Sequence, residues 1–106
     1  MNHAWGTLVV AGLFEVGWAL GLGYSEGFSK FWPSVGTVAA LAVSMALLAK
    51  ATRTLPVGTA YAVWTGIGAV GTAVGGIVLF GEPRSVLRVG CILLVVAGIA
   101  GLKLTA

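Results

Sequence analysis

The stretch Gly12-Leu13-Phe14-Glu15-Val16-Gly17-Trp18 decides how this chain is read. It lies inside an apolar run from Ala4 to Leu22, where Glu15 is the one ionisable side chain. If that run is a membrane helix, Glu15 sits roughly 10 Å from one end and roughly 16 Å from the other, at about 1.5 Å per residue. That is near the middle of a hydrocarbon core about 30 Å thick. An acid at such a depth is costly, and it marks a functional site by default.

Composition supports the membrane. The 106 residues are 58% hydrophobic and 8% charged, with a mean hydropathy of +1.04. Soluble domains carry roughly 25% charged residues, so this chain lacks the polar surface to be one. Its 17 glycines suit helices packed closely in lipid. The single Cys91 rules out an internal disulfide. The net charge of +3 is scattered over helix ends with no basic run, which leaves no nucleic-acid footprint. The N-terminal run is longer than a signal-peptide core and has no Lys or Arg before it, so it reads as a first span.

The fold expected is an all-α membrane protein, a single four-helix transmembrane domain over 1–106. Its spans run at about 4–22, 33–51, 57–80 and 85–104. Trp5 anchors the first span at the interface. Gly21, Gly23, Ser25 and Gly27 break the pattern into a short loop, and Pro33 suits the first turn of span 2. Arg53-Thr54-Leu55-Pro56 and Gly81-Glu82-Pro83-Arg84 mark the remaining turns, with Arg88 close enough to the start of span 4 to snorkel. Lys50, Arg53 and Lys103 fall on one side of the membrane, and Lys30, Arg84 and Arg88 on the other. That balance gives the positive-inside rule nothing to act on, so the chain is expected to insert both ways. Two inverted copies would then supply the repeat that larger transporters encode in one chain.

Gly12, Glu15 and Trp18 share one helical face, with Gly12 expected to leave space beside the carboxylate. On span 3, Tyr61 and Trp64 stand at the head of a stripe of Gly68, Gly71 and Gly75, suited to walling a cation. Ser44, midway along span 2, is placed to donate to Glu15 or to its own i−4 carbonyl. Gly66-Ile67-Gly68-Ala69-Val70-Gly71 matches G-x-G-x-x-G, but it lacks the strand and βαβ unit a dinucleotide site requires. Gly66 and Gly68 are read instead as close packing or a point where span 3 bends. Gly90, Ala97, Gly98 and Gly101 form a small-residue stripe on span 4 for association between chains. No cationic side chain lies within the span of Glu15. Its carboxyl is therefore satisfied either by protons or by a bound cation, which is the physical content of proton–cation exchange. The chain has no phosphate-binding loop, and no enzymatic activity, metal or cofactor is expected.

These residues resemble the small multidrug resistance family along the whole chain. The resemblance rests on Glu15, on Tyr24-Ser25-Glu26-Gly27-Phe28 and Trp32-Pro33-Ser34, on the run from Pro56 to Gly68, and on the glycine-rich span 4. It implies an antiparallel, dual-topology homodimer in the cell membrane whose two glutamates form one site, exchanging protons for an exported cation by alternating access. Gly12-x-x-Glu15-x-x-Trp18 and Gly101-Leu102-Lys103 look like the guanidinium-exporting subtype. Glu15 is then the proton- and substrate-binding carboxylate, with Gly12, Trp18, Ser44, Tyr61 and Trp64 as its shell. Gly23 departs from the lysine that subtype members often carry there, which touches the orientation argument. Substituted guanidiniums fall within the same chemistry. The alternatives are a broad exporter of quaternary ammonium or lipophilic cations, and a non-transporting membrane scaffold.

Overall fold

A computed structural model describes residues 3–105. It contains four α-helices: α1 (His3–Ser25), α2 (Phe31–Ala51), α3 (Val57–Phe80) and α4 (Val86–Thr105). Each is long and apolar enough to cross a membrane. Their 20 to 24 residues correspond to about 30–36 Å of helix. Among the described residues α1 lies between α2 and α3, whereas α4 packs on α3 alone.

Glycine sets the approach of these helices. On α1, Gly17 faces Ala40 and Gly21 faces Thr37 of α2. Along α3, Gly71 receives Val16 and Gly75 receives Leu20. The relation reverses at two levels of α1, where Gly12 receives Ile67 and Gly23 receives Phe80. Gly21 and Gly23 therefore do not break α1, which continues to Ser25, beyond the loop expected from those glycines. They are contact points that a side chain would block. Likewise α2 begins at Phe31, before Pro33. The first four N–H groups of a helix have no intrahelical acceptor, so a proline in that turn costs no bond.

The α1–α2 turn is a left-handed corner, with positive φ at Glu26, Gly27 and Phe28 in succession (50°, 73° and 70°). Buried Ser25 holds it: its hydroxyl donates to the Leu22 carbonyl and accepts from the Phe28 N–H, both at 3.0 Å. Lys30 pairs with Glu26 across the corner at 2.5 Å. At the far end of α3, Gly81 takes the left-handed conformation and the Glu82 N–H donates back to the Gly76 carbonyl at 3.2 Å.

The core is confined to one end of the bundle. Leu8 and Ala11 of α1, Leu48 and Ala51 of α2, and Ala60, Val63 and Trp64 of α3 are buried together there. The opposite end of the α1–α3 seam holds a cavity of about 540 Å³.

Candidate cation site at Glu15

The Glu15 side chain crosses from α1 to α3 and lies directly over Gly68, where any Cβ would collide with the carboxylate. One carboxylate oxygen, Oε2, is buried without a hydrogen-bond partner. One turn along α1, the indole Nε1 of Trp18 is likewise buried and unpartnered. Buried polar groups almost always find a partner, so an open acceptor and an open donor one turn apart on α1 mark this face as a candidate site.

Ser44 is not bonded to Glu15, nor to its own i−4 carbonyl. Its hydroxyl donates to the Ala11 carbonyl at 2.7 Å and accepts from Trp64 Nε1 at 2.9 Å. The chain Trp64–Ser44–Ala11 thus ties α3, α2 and α1 together one turn from Glu15. It removes the Trp64 donor and the Ser44 donor from direct use by the carboxylate. Tyr61 stacks on Trp64 at 5.6 Å between centroids with a tilt of 47°, and stays 58% exposed.

Gly12 does not leave open space beside the carboxylate, because Ile67 of α3 fills the position where its Cβ would point, at 2.5 Å. Gly66 and Gly68 lie within an uninterrupted α3, and both are contact points: Gly66 against Ile99 of α4, Gly68 against Glu15. Gly90, Ala97, Gly98 and Gly101 are exposed on α4, and a Cβ added at any of the three glycines would meet nothing. Arg88 reaches back from α4 to the α3–α4 turn, where its Nη2 donates to Glu82 Oε1 at 2.9 Å, in keeping with a side chain that snorkels toward the helix end.

Two features escaped the reading of the sequence. Thr72 carries a buried hydroxyl with no partner, one turn beyond Gly68. Gly76, one further turn on, lies beneath the Glu82 carboxylate, 2.5 Å from where its Cβ would stand. The spacing Gly68-x3-Thr72-x3-Gly76 was the available signal, a single face of small or hydroxyl-bearing residues.

A family model described as Small Multidrug Resistance protein matches residues 3–99. The chain belongs to the small multidrug resistance family. Relatives named "Guanidinium exporter" match it along nearly its whole length. The protein of Escherichia coli (strain K12) is 62% identical over 102 residues, covering 96% of this chain and 97% of its own length. That of Yersinia pestis is 60% identical over 103 residues, covering 97% and 99%. That of Salmonella typhimurium (strain LT2) is 58% identical over 103 residues, covering 97% and 98%. This small multidrug resistance protein is accordingly a multi-pass membrane protein, its four apolar helices placing Glu15 within the bilayer.

Proposed function

We propose that this protein exports guanidinium in exchange for protons, without a cofactor, and that Glu15 binds both. The observation that carries the reading is the Glu15 carboxylate oxygen, buried at mid-helix with no partner, in a chain whose relatives at 58–62% identity are named guanidinium exporters. Guanidinium is planar and its N–H groups donate in pairs to carboxylates, which suits it to such an acceptor. The open Trp18 N–H, one turn along α1, offers a donor for the carboxylate or the bound cation's water when the charge appears.

The working unit is an antiparallel homodimer in the cell membrane, two copies of Glu15 sharing one site. The unburied face of α4 and the even split of Lys and Arg between the two sides support it. Proton and cation then compete for the same pair of carboxylates. Alternating access delivers one against the other, and substituted guanidiniums with a free pair of N–H groups meet the same requirement.

The test is Glu15→Gln in proteoliposomes. The variant is expected to assemble normally and to lose guanidinium-evoked proton movement entirely; persistence of transport in it removes Glu15 from the mechanism. Substrate is decided in the wild-type protein by comparing currents evoked by guanidinium and by tetramethylammonium. Current from guanidinium is the expected result, and current from tetramethylammonium alone would make the protein an exporter of quaternary ammonium ions instead.

A further inference from the structure

The cavity of about 540 Å³ at the loosely packed end lies on the same face of α3 as the Glu15 contact. Its polar lining is Thr72, Glu82 and Arg88, beside the apolar Leu20, Ala73 and Phe80. It ends at Ala69 and Thr72, with Thr72 one turn short of Gly68 and Glu15. Three oxygen-bearing groups mark that face at intervals of one turn, about 6 Å. The Glu15 carboxylate lies over Gly68, the Thr72 hydroxyl comes next, and the Glu82 carboxylate lies over Gly76. Each carboxylate is admitted by a glycine whose Cβ would occupy its place.

Three of the polar atoms along this line are buried and unpartnered: Glu15 Oε2, Thr72 Oγ1 and Arg88 Nε. The threonine is telling. Thr37, Thr52 and Thr105 donate to a carbonyl three or four residues back. Thr7, Thr59, Thr65 and Thr72 do not, and Thr72 differs from these in that its hydroxyl is buried without a partner. An open acceptor, an open hydroxyl and an open N–H donor together match no single ion. They match water, which donates and accepts. A liquid-like water needs about 30 Å³ and two to four polar partners, so the cavity has room and partners for several. At its outer end Glu82 and Arg88 are half-exposed, with side chains 45% and 39% accessible.

We infer that this cavity is the outer part of a hydrated half-channel that carries protons between the membrane surface beside the α3–α4 turn and Glu15, with Thr72 at the cavity's inner end, one turn from the carboxylate. Thr72 is a positioning residue. Its hydroxyl bridges two stretches of water, each too long for a direct hydrogen bond between the flanking carboxylates and itself. The Glu82–Arg88 pair forms the mouth, where it holds charge and water at the surface without adding net charge. No bond to carbon forms or breaks; a proton enters at the mouth as another leaves toward Glu15. The inference rests on the proposed proton exchange and adds its route.

The test uses the full-length protein in proteoliposomes and compares two transport modes. One is guanidinium uptake driven by a pH gradient, and the other is exchange of labelled for unlabelled guanidinium, which moves no net proton. Thr72→Val keeps the shape and removes the hydroxyl, and is expected to slow the proton-driven mode by roughly tenfold or more while exchange stays near wild type. Thr72→Ser is expected to restore the proton-driven rate. A Thr72→Val protein that keeps the wild-type proton-driven rate, or that loses both modes in parallel, overturns the route. Absence of guanidinium-evoked proton movement in the wild type overturns the proposed function itself, a separate outcome. Hydration is read directly in a Cys91→Ala background. Ala73→Cys is expected to react with a water-soluble thiol reagent and Val74→Cys, off the cavity, is not; equal protection of both overturns the route as well.

Discussion

At the scale of single residues, the hydroxyl of Ser44 is the most connected group in the core, accepting from Trp64 and donating to Ala11. Removing a partner from a buried bond in a soluble protein costs about 1–3 kcal/mol. Side-chain bonds inside membranes average nearer about 0.6 kcal/mol, because the unfolded chain in lipid finds other partners. Ser44→Ala loses two bonds, so we expect a destabilisation of about 1–2 kcal/mol in denaturant titration of the reconstituted protein. Trp64→Phe loses only one of them and should cost less of this bonding energy. Gly68→Ala puts a methyl where the Glu15 carboxylate lies, and guanidinium affinity should fall about tenfold or more in equilibrium titration, about 1.4 kcal/mol. Gly6→Ala is the control, since its Cβ meets nothing, and the change should leave affinity untouched. Glu15 was legible in the sequence because one acid in an apolar run breaks a pattern. The true partners of Ser44 were not, because helical spacing names the face of a residue but leaves open which carbonyl of a neighbouring helix comes within 2.7 Å.

Among the elements, the four helices were legible from charge-free runs of membrane-spanning length between turn signals. The ends of α1 and α2 were not. Gly21 and Gly23 read as helix breakers, yet their role is to let Thr37 and Phe80 approach, which depends on partners that no local pattern contains. The α1–α2 corner is where local chemistry does govern. Gly27 at φ 73° has open space around it, so Gly27→Ala meets no clash and still costs about 1–2 kcal/mol in left-handed backbone strain. A melting series of alanine substitutions should place this position among the more costly exposed glycines. In the same corner, the hydrogen bond and charge of Lys30 hold the Glu26 carboxyl below its ordinary value of 4.5. A lowered value means the pair supports the corner above that range and releases it as pH falls through the lowered value. Both side chains are well exposed, so the effect is small, and Glu26→Gln should remove it without altering neutral-pH melting appreciably.

Over the whole molecule, the packing divides along the membrane normal. The end holding Leu8, Leu48, Ala60 and Trp64 carries the buried core and a cavity of about 330 Å³ beside Trp5 and Lys103. The end holding Thr72, Gly76 and Glu82 carries a larger one of about 540 Å³. A transporter working by alternating access needs one such contrast per copy, and an inverted copy reverses it across the bilayer. Dual insertion makes a plain prediction. A Thr105→Cys protein lacking Cys91 should label with an impermeant reagent from both faces of the membrane, and labelling from one face alone rules that topology out.

The attachment of α4 has a consequence of its own. None of its residues is buried, and Leu87, Leu94 and Leu104 stand 79%, 72% and 86% exposed. Within one chain it is held by Ile99 and Val95 against Gly66, by Leu102 against the core, and by Lys103 over the Trp5 ring at 5.8 Å. In the proposed homodimer its burial would fall to the second copy, and its hold would then be governed by mass action: each tenfold dilution in the bilayer disfavours association by about 1.4 kcal/mol. A cell making few copies would carry a larger fraction of chains with a loose fourth helix. The abundance of the protein then sets how much of it is finished, before any substrate arrives.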